Sequence, residues 1–190
     1  MALPTSLHFR GPFTFIDHGH GIAASEFAKR EGIYLWTKTD GMRRFIHYVG
    51  ETTLFLKRHK EHLTQMLGLN YGVFRSDAIA ADDPAPIHGG MWRDKSPDPV
   101  TNTVQAWLHL QQAILASVES VEVFFAPTSL TNDMRKHVEG CLARQLRKRH
   151  PEEARFYPAD NRTIPRKAQG VMIAVTSDLP IEGLDPELEV

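Results

Sequence analysis

Two short segments rich in β-branched and aromatic residues limit most strongly how this chain can fold. They are residues 33–37 and 44–49, and the sequence Lys38-Thr39-Asp40-Gly41 follows the first of them. Such side chains favour β-strands, and a polar stretch that ends in glycine is typical of a hairpin turn. The sequence therefore predicts an antiparallel β-hairpin whose second strand ends at Gly50.

The register of this hairpin decides which side chains lie on the same face. A loop centred on Gly41 would pair Tyr34 with Tyr48 and place both phenols on one face of the sheet. A loop centred half a residue away would instead set Tyr34 opposite His47. The sequence alone leaves both registers open.

The segment after the hairpin predicts an α-helix. Glu51-Thr52-Thr53 provides a helix start, and residues 54–63 continue it. Arg58 and His62 are four residues apart, so they share one helix face. Three leucines are expected on or near another face: Leu56, Leu63 and Leu67. The arginine and the histidine can therefore act together next to the hairpin.

These residues resemble the motifs of the GIY-YIG nuclease family. Gly32-Ile33-Tyr34 matches the first motif as written, and Tyr48-Val49-Gly50 is a conservative form of the second. The offsets from Gly50 to Arg58 and from Arg58 to His62 are also those that the family uses. One departure is a gap between the two tyrosine motifs that is slightly longer than usual.

The resemblance implies an α+β fold, with a small and mostly antiparallel three-stranded sheet flanked by helices. Within a single domain of residues 1–190, the family core would cover residues 31–67 and 120–161. Residues 68–119 would be an insertion of loop and helix, and residues 178–190 an acidic tail.

The family also carries a metal-binding glutamate on a helix that follows a strand. Residues 121–125 predict that strand, and residues 129–149 predict the helix, which Ser129 or Thr131 can cap. The apolar stripe of this helix consists of Leu130, Met134, Val138, Cys141, Leu142 and Leu146. Glu139 borders the stripe and is the residue that matches the metal ligand. An asparagine often closes the motif set, and Asn161 is the nearest match.

The resemblance implies a divalent-metal-dependent endonuclease that hydrolyses DNA phosphodiester bonds. Tyr34 would be the general base, Arg58 would stabilise the phosphoryl transition state, and Glu139 would bind Mg2+ or Mn2+. Tyr48 and His62 would position water or phosphate, and His62 could shuttle a proton. The candidates for substrate binding are Gly50, Lys57, His59, Lys60 and Asn161. The DNA would be double-stranded or branched, and a homodimer remains open.

Every one of these residues also has a structural interpretation. Tyr34 and Tyr48 could be ordinary strand aromatics, the arginine and histidine a solvated helix face, and Glu139 a surface partner of Arg135 or Arg144. The alternative function is accordingly a catalytically inactive module of the same fold that binds nucleic acid or another protein.

Composition limits the function less than the motifs do. The chain has 190 residues, 42% hydrophobic content, a formal net charge of −1 and one cysteine. No signal peptide or long apolar run is evident, so a cytoplasmic protein without a membrane segment is expected. A nucleic-acid-binding protein is often basic overall, but phosphate contacts need only a basic patch. Basic residues cluster at 43–44, 57–60 and 144–150, although the last cluster also suits the end of a helix.

The rest of the chain is expected to surround this core. Two aromatic runs before residue 17 and a helix near residues 23–30 would pack on the sheet edge, and Asp17-His18-Gly19-His20 would be a loop. Residues 68–100 should be mainly loop. The aromatic and basic residues of this loop, which include Tyr71, would either contact DNA or cover the core. Residues 100–120 predict an amphipathic helix with Trp107 in the core, and residues 170–175 a strand before a frayed acidic tail.

Overall fold

The computed structural model describes residues 6–16, 21–73, 86–91, 94–150 and 170–190 of the chain. Six strands form one sheet: β1 (Ser6–Thr14), β2 (Gly32–Thr39), β3 (Arg44–Thr52), β4 (Glu122–Pro127), β5 (Met172–Ser177) and β6 (Glu187–Glu189). The helices are α1 (Phe55–Leu67), α2 (Pro99–Glu119) and α3 (Asn132–Arg149). The predicted α+β class is confirmed.

The sheet has the order β3-β2-β4-β1-β5-β6 and is mixed, because β1 and β5 are parallel while the other neighbours are antiparallel. The antiparallel trio β3-β2-β4 contains the three strands expected from the sequence. Three further strands extend this trio, so the sheet is larger than predicted. Among the described helices, none combines the length and apolar character needed to cross a membrane.

Different groups of side chains pack on the two faces of the sheet. Ile33 and Leu35 of β2 join the hydrophobic cluster that includes the apolar stripe of α3. Tyr34 and Trp36, which alternate with them, pack on the opposite face with Phe55 of α1. The alternation along β2 therefore sends the aromatic motif residues to the α1 side.

Helix α3 follows its predicted pattern. Thr131 is the N-cap and accepts a hydrogen bond from the Met134 N–H at 3.4 Å. Val138, Cys141 and Leu146 of the stripe are buried. The helix packs against β3, the outermost strand at one end of the sheet.

Helix α1 buries ring side chains rather than its leucines. Its buried residues are Phe55, His59 and His62, whereas Leu67 is exposed and Leu56 only half-buried. Strand β3 also continues past Gly50, and α1 begins only at Phe55. The aromatic side of the sheet takes these ring side chains of α1.

Helix α2 lies within one residue of the predicted range and is capped by Asp98, whose carboxylate accepts from the Thr101 N–H at 3.1 Å. Most of its large apolar residues are exposed, however, and only Ile114 and Val118 are buried among them. Trp107 is 42% exposed and donates its indole N–H to the Leu67 carbonyl at 3.0 Å. The prediction of Trp107 as a core residue was wrong.

Both ends of the chain also differ from the prediction. Strand β1 lies between β4 and β5 inside the sheet rather than on its edge. Residues 23–30 form turns and part of a short 3-10 helix, Ile22–Ala24, instead of an α-helix. The acidic tail is not frayed, because β6 pairs with β5 and both Leu188 and Val190 are fully buried.

Candidate active site

The hairpin adopts neither of the two predicted registers. Tyr34 pairs with Gly50 and Trp36 with Tyr48, and a bulge after Trp36 shifts the pairing. The loop is held by Asp40, whose carboxylate accepts hydrogen bonds from two backbone N–H groups at 3.2 and 2.7 Å. Because Tyr34 and Tyr48 are two positions out of register, their rings still share a face, and they stack with centroids 5.9 Å apart.

Both motif glycines are required by close packing. A Cβ atom on Gly50 would collide with the ring and hydroxyl of Tyr34. A Cβ atom on Gly32 would collide with the carbonyl of Ala126 on the neighbouring strand. Gly50, a predicted substrate contact, is thus a buried position over which the Tyr34 ring lies.

A chain of hydrogen bonds leads from Tyr34 into the following helix and beyond it. The Tyr34 hydroxyl lies 2.7 Å from His62 Nε2, and His62 Nδ1 lies 3.0 Å from the Tyr71 hydroxyl. The charge of Arg58 and the neighbouring Tyr48 also act electrostatically on the Tyr34 hydroxyl. The side chains of Tyr34, His62 and Tyr71 therefore form one hydrogen-bonded series, with Arg58 and Tyr48 next to Tyr34.

Burial and charge set the protonation of the two tyrosines. Burial raises the pKa of Tyr34 well above its ordinary value, and the neighbouring Tyr48 raises it further, while Arg58 opposes the shift. Burial and Glu139 raise the pKa of Tyr48, and Arg58 again acts in the opposite sense. Both phenols are therefore protonated at neutral pH unless further positive charge comes near them.

The two buried histidines of α1 are neutral. Burial lowers the pKa of His62 to about 2, with the positive charge of Arg58 contributing. Burial also lowers the pKa of His59 to about 4. His59 accepts the Trp36 indole N–H at 3.1 Å and bonds to the Phe55 carbonyl at 2.9 Å. Predicted as a phosphate contact, His59 lies instead in the packed interior.

Glu139 lies near the two tyrosines although it comes from α3. Its side chain is half-buried and interacts electrostatically with both Tyr34 and Tyr48. One helical turn earlier, the buried Arg135 donates hydrogen bonds to Glu51 of β3 and to Glu31. These ion pairs fix the part of α3 that carries Glu139 against the hairpin.

The donor set around Glu139 suits one class of metal ion. Within the described residues, no group of three or more His, Cys, Asp or Glu side chains could hold a metal. Mg2+ needs no such group, because it keeps several waters and uses one or two carboxylates together with phosphate oxygens. Glu139 fits that requirement, and Mn2+ accepts the same oxygen ligands.

The remaining predicted contacts lie at the surface or outside the described residues. Lys57 and Lys60 are exposed on α1, on either side of the half-buried Arg58. Asn161 and the segment from Asp17 to His20 lie outside the described residues.

Tyr71 is the residue that sequence reasoning did not place in the site. The chain turns back after α1 at Leu69, which has a positive φ of 55°. Gly68, the C-cap of α1, marks the end of the helix, but a leucine rarely adopts the conformation of Leu69, so the sequence does not predict the direction of the turn. The turn brings Tyr71 back to His62.

No protein-family model matches this chain, and no curated protein or solved structure matches it significantly. The motif residues and their arrangement are therefore the basis on which a function can be proposed for this chain.

Proposed function

We propose that this protein is a divalent-metal-dependent endonuclease of the GIY-YIG type that hydrolyses DNA phosphodiester bonds. The observation that carries the proposal is the convergence of five side chains from three elements. Tyr34 and Tyr48 of the hairpin, Arg58 and His62 of α1 and Glu139 of α3 are linked by hydrogen bonds and electrostatic interactions. A base, a fixed cation and a carboxylate are the groups that phosphodiester hydrolysis requires.

Arg58 supplies the fixed positive charge. Its guanidinium stays protonated at all relevant pH values and can form two parallel hydrogen bonds to a phosphate. It is half-buried and donates a hydrogen bond to Glu61 at 3.3 Å, so it is oriented before substrate binds. In the proposed reaction it neutralises charge that builds on the phosphoryl oxygens.

Tyr34 is the proton acceptor in the proposed reaction. Its side chain is fully buried, whereas Tyr48, which stacks on it, is half-buried. Once Tyr34 has lost its own proton, the attacking water gives a proton to the Tyr48 oxygen while Tyr48 passes its own proton to the Tyr34 phenolate, which leaves hydroxide to attack the phosphate. This route keeps the acceptor away from bulk water.

Glu139 is the residue that would hold Mg2+ or Mn2+. A bound cation would supply positive charge that offsets both the Glu139 carboxylate and the charge developing on the scissile phosphate. The carboxylate raises the pKa of both phenols in its own right.

DNA is the proposed substrate because exposed basic residues lie on both helices that contribute to the site. Lys57 and Lys60 are exposed on α1, and the last turn of α3 carries Arg147, Lys148 and Arg149. Such local clusters contact phosphates even when the chain as a whole has a net charge of −1. Duplex and branched DNA both fit this surface.

The test is cleavage of supercoiled plasmid and of labelled linear and branched duplexes, with Mg2+ or Mn2+ and with a chelator. Wild type is compared with Glu139→Gln, Arg58→Ala and the control Asp133→Asn, which removes an exposed carboxylate from the same helix as Glu139. We expect both site variants to lose at least about 100-fold in cleavage rate while binding DNA in chelator. The control should cleave like wild type.

A catalytically inactive binding module is the second candidate. The raised pKa of both phenols favours it, because a protonated phenol is no base. Folded wild type that binds DNA but cleaves none of these substrates would support the module and overturn the nuclease. Cleavage that survives Glu139→Gln unchanged would remove Glu139 from the mechanism.

A further inference from the structure

His62 connects two tyrosines that come from different parts of the chain. One ring nitrogen faces the Tyr34 hydroxyl at 2.7 Å, and the other faces the Tyr71 hydroxyl at 3.0 Å. The His62 side chain is only 1% exposed, so these two hydroxyls rather than bulk water occupy its nitrogens. A neutral imidazole carries one N–H, and its neighbours decide which nitrogen holds it.

The surroundings of Tyr34 assign that proton. The fixed positive charge of Arg58 acts on the Tyr34 oxygen, so the lone pairs of that oxygen, rather than its proton, are oriented toward Arg58. The Tyr34 hydroxyl proton is then directed at His62 Nε2, which must be the unprotonated nitrogen. Nδ1 therefore carries the hydrogen and donates it to the Tyr71 oxygen. In this arrangement each ring nitrogen of His62 meets a hydroxyl group in the complementary role.

We propose that Tyr71 is a positioning residue that selects the Nδ1–H tautomer of His62 and forms the outlet of a proton path from Tyr34. This inference rests on the proposed function, in which Tyr34 must become a phenolate before it can accept a proton from water. It assigns a role to Tyr71, which lies in the predicted insertion of residues 68–119 and is not one of the motif residues.

The proton transfer balances without a charged histidine. The Tyr34 hydroxyl gives its proton to His62 Nε2, His62 Nδ1 gives its hydrogen to the Tyr71 oxygen, and Tyr71 releases its own proton to water. Tyr34 ends as a phenolate, one proton has entered solvent, and His62 has changed from the Nδ1–H to the Nε2–H tautomer. The new Nε2–H and Arg58 then both donate to the phenolate oxygen.

The surroundings of His62 favour this route over one through an imidazolium. Burial and the charge of Arg58 lower the pKa of His62 to about 2, so protonating the ring fully is unfavourable. Tyr34 is fully buried, whereas Tyr71 is half-buried and stands closer to the outside of the fold. Removing the Tyr71 hydroxyl would leave His62 Nδ1 without the acceptor that the transfer requires.

The first test reads the tautomer directly and needs no DNA. Long-range proton–nitrogen NMR on full-length protein labelled with 15N-histidine should show a protonated Nδ1 and an unprotonated Nε2 for His62, whose signals are assigned by their loss in His62→Gln. Tyr71→Phe should move the population toward the Nε2–H form. The control Asn70→Ala removes a neighbouring hydrogen bond, Asn70 Nδ2 to Gln65 Oε1 at 2.7 Å, and should leave the tautomer unchanged.

The second test is single-turnover DNA cleavage by the same proteins. We expect Tyr71→Phe to lower the cleavage rate by about tenfold or more with unchanged DNA affinity, and Asn70→Ala to cleave like wild type. A protonated Nε2 in wild type, a tautomer unaffected by Tyr71→Phe, or full cleavage by that variant would each overturn the inference. Wild type that cleaves no DNA overturns the proposed function and the path with it, whereas an unaffected variant beside active wild type overturns the path alone.

Discussion

Gly50 controls the position of the Tyr34 ring. The ring lies so close over this backbone that a single added methyl group would overlap its hydroxyl and the adjacent carbon. Tyr34 cannot move away freely, because it is packed against Tyr48 and bonded to His62. One small residue in the outer strand thus sets the geometry of the hydrogen-bonded group.

Gly50→Ala is therefore expected to destabilise the protein by about 1–3 kcal/mol, the usual cost of forcing extra atoms into a packed site. It should also reduce DNA cleavage, because displacing Tyr34 lengthens its bond to His62. Urea unfolding measures the first effect. Gly89→Ala is the control, since no atom lies within 4 Å of its added Cβ. Equal stability of the two variants would contradict the packing role of Gly50.

At the scale of elements, α1 differs from an ordinary amphipathic helix because its buried face carries two histidines. Both are neutral in the folded protein, with pKa values lowered to about 4 for His59 and about 2 for His62. An unfolded histidine has a pKa of about 6.5. Below that pH the unfolded chain therefore binds protons that the folded chain does not.

This difference predicts that stability falls as the pH falls from about 6.5 toward 4, by up to about 1.4 kcal/mol per pH unit for each histidine. The decrease from His62 continues to lower pH because its folded pKa is lower. Urea unfolding at about pH 7 and about pH 5 measures the loss. His59→Gln should flatten the dependence, and His109→Gln, which changes an exposed histidine of α2, should not. Identical pH dependence in all three proteins would contradict the prediction.

At the scale of the whole molecule, the two ends of the chain complete the sheet. Strand β1 joins β4 to β5, and β6 pairs with β5. Leu188 of β6 is fully buried in the same cluster as Leu7 of β1 and Ile33 of the hairpin. The acidic C-terminal segment thus contributes to the core that supports the candidate site.

Leu188→Ala should lower the free energy of unfolding by about 2–4 kcal/mol, because it leaves a cavity in that core. Leu179→Ala is the matched control at a position that is 39% exposed, and it should change stability by less than about 0.5 kcal/mol. Chemical denaturation followed by tryptophan fluorescence compares the two. A small effect of Leu188→Ala would show that the last strand is not part of the cooperative core.

The sequence predicted the local elements well and their faces less well. The hairpin strands, α2, α3 and the strand before α3 all lie close to their predicted ranges, and Thr131 is the cap of α3. The hairpin register was wrong for two reasons. The loop pairs Thr39 with Arg44, so its centre lies half a residue beyond Gly41, and a bulge after Trp36 adds a further shift that no residue type predicts. The core position of Trp107 was wrong because burial depends on what packs opposite.

The sequence by itself determined which segments form strands and helices and which chemical groups they carry. The spacing of hydrophobic residues, the turn residues and the helix caps all depend on residues that are neighbours in the chain, so the local sequence predicts them. The tertiary structure decided the register of the hairpin, the buried face of α1, the approach of Glu139 to the tyrosines and the contact of Tyr71 with His62. All four of these features depend on contacts between segments that are distant in the chain. Such contacts form only when the sheet and the helices pack together.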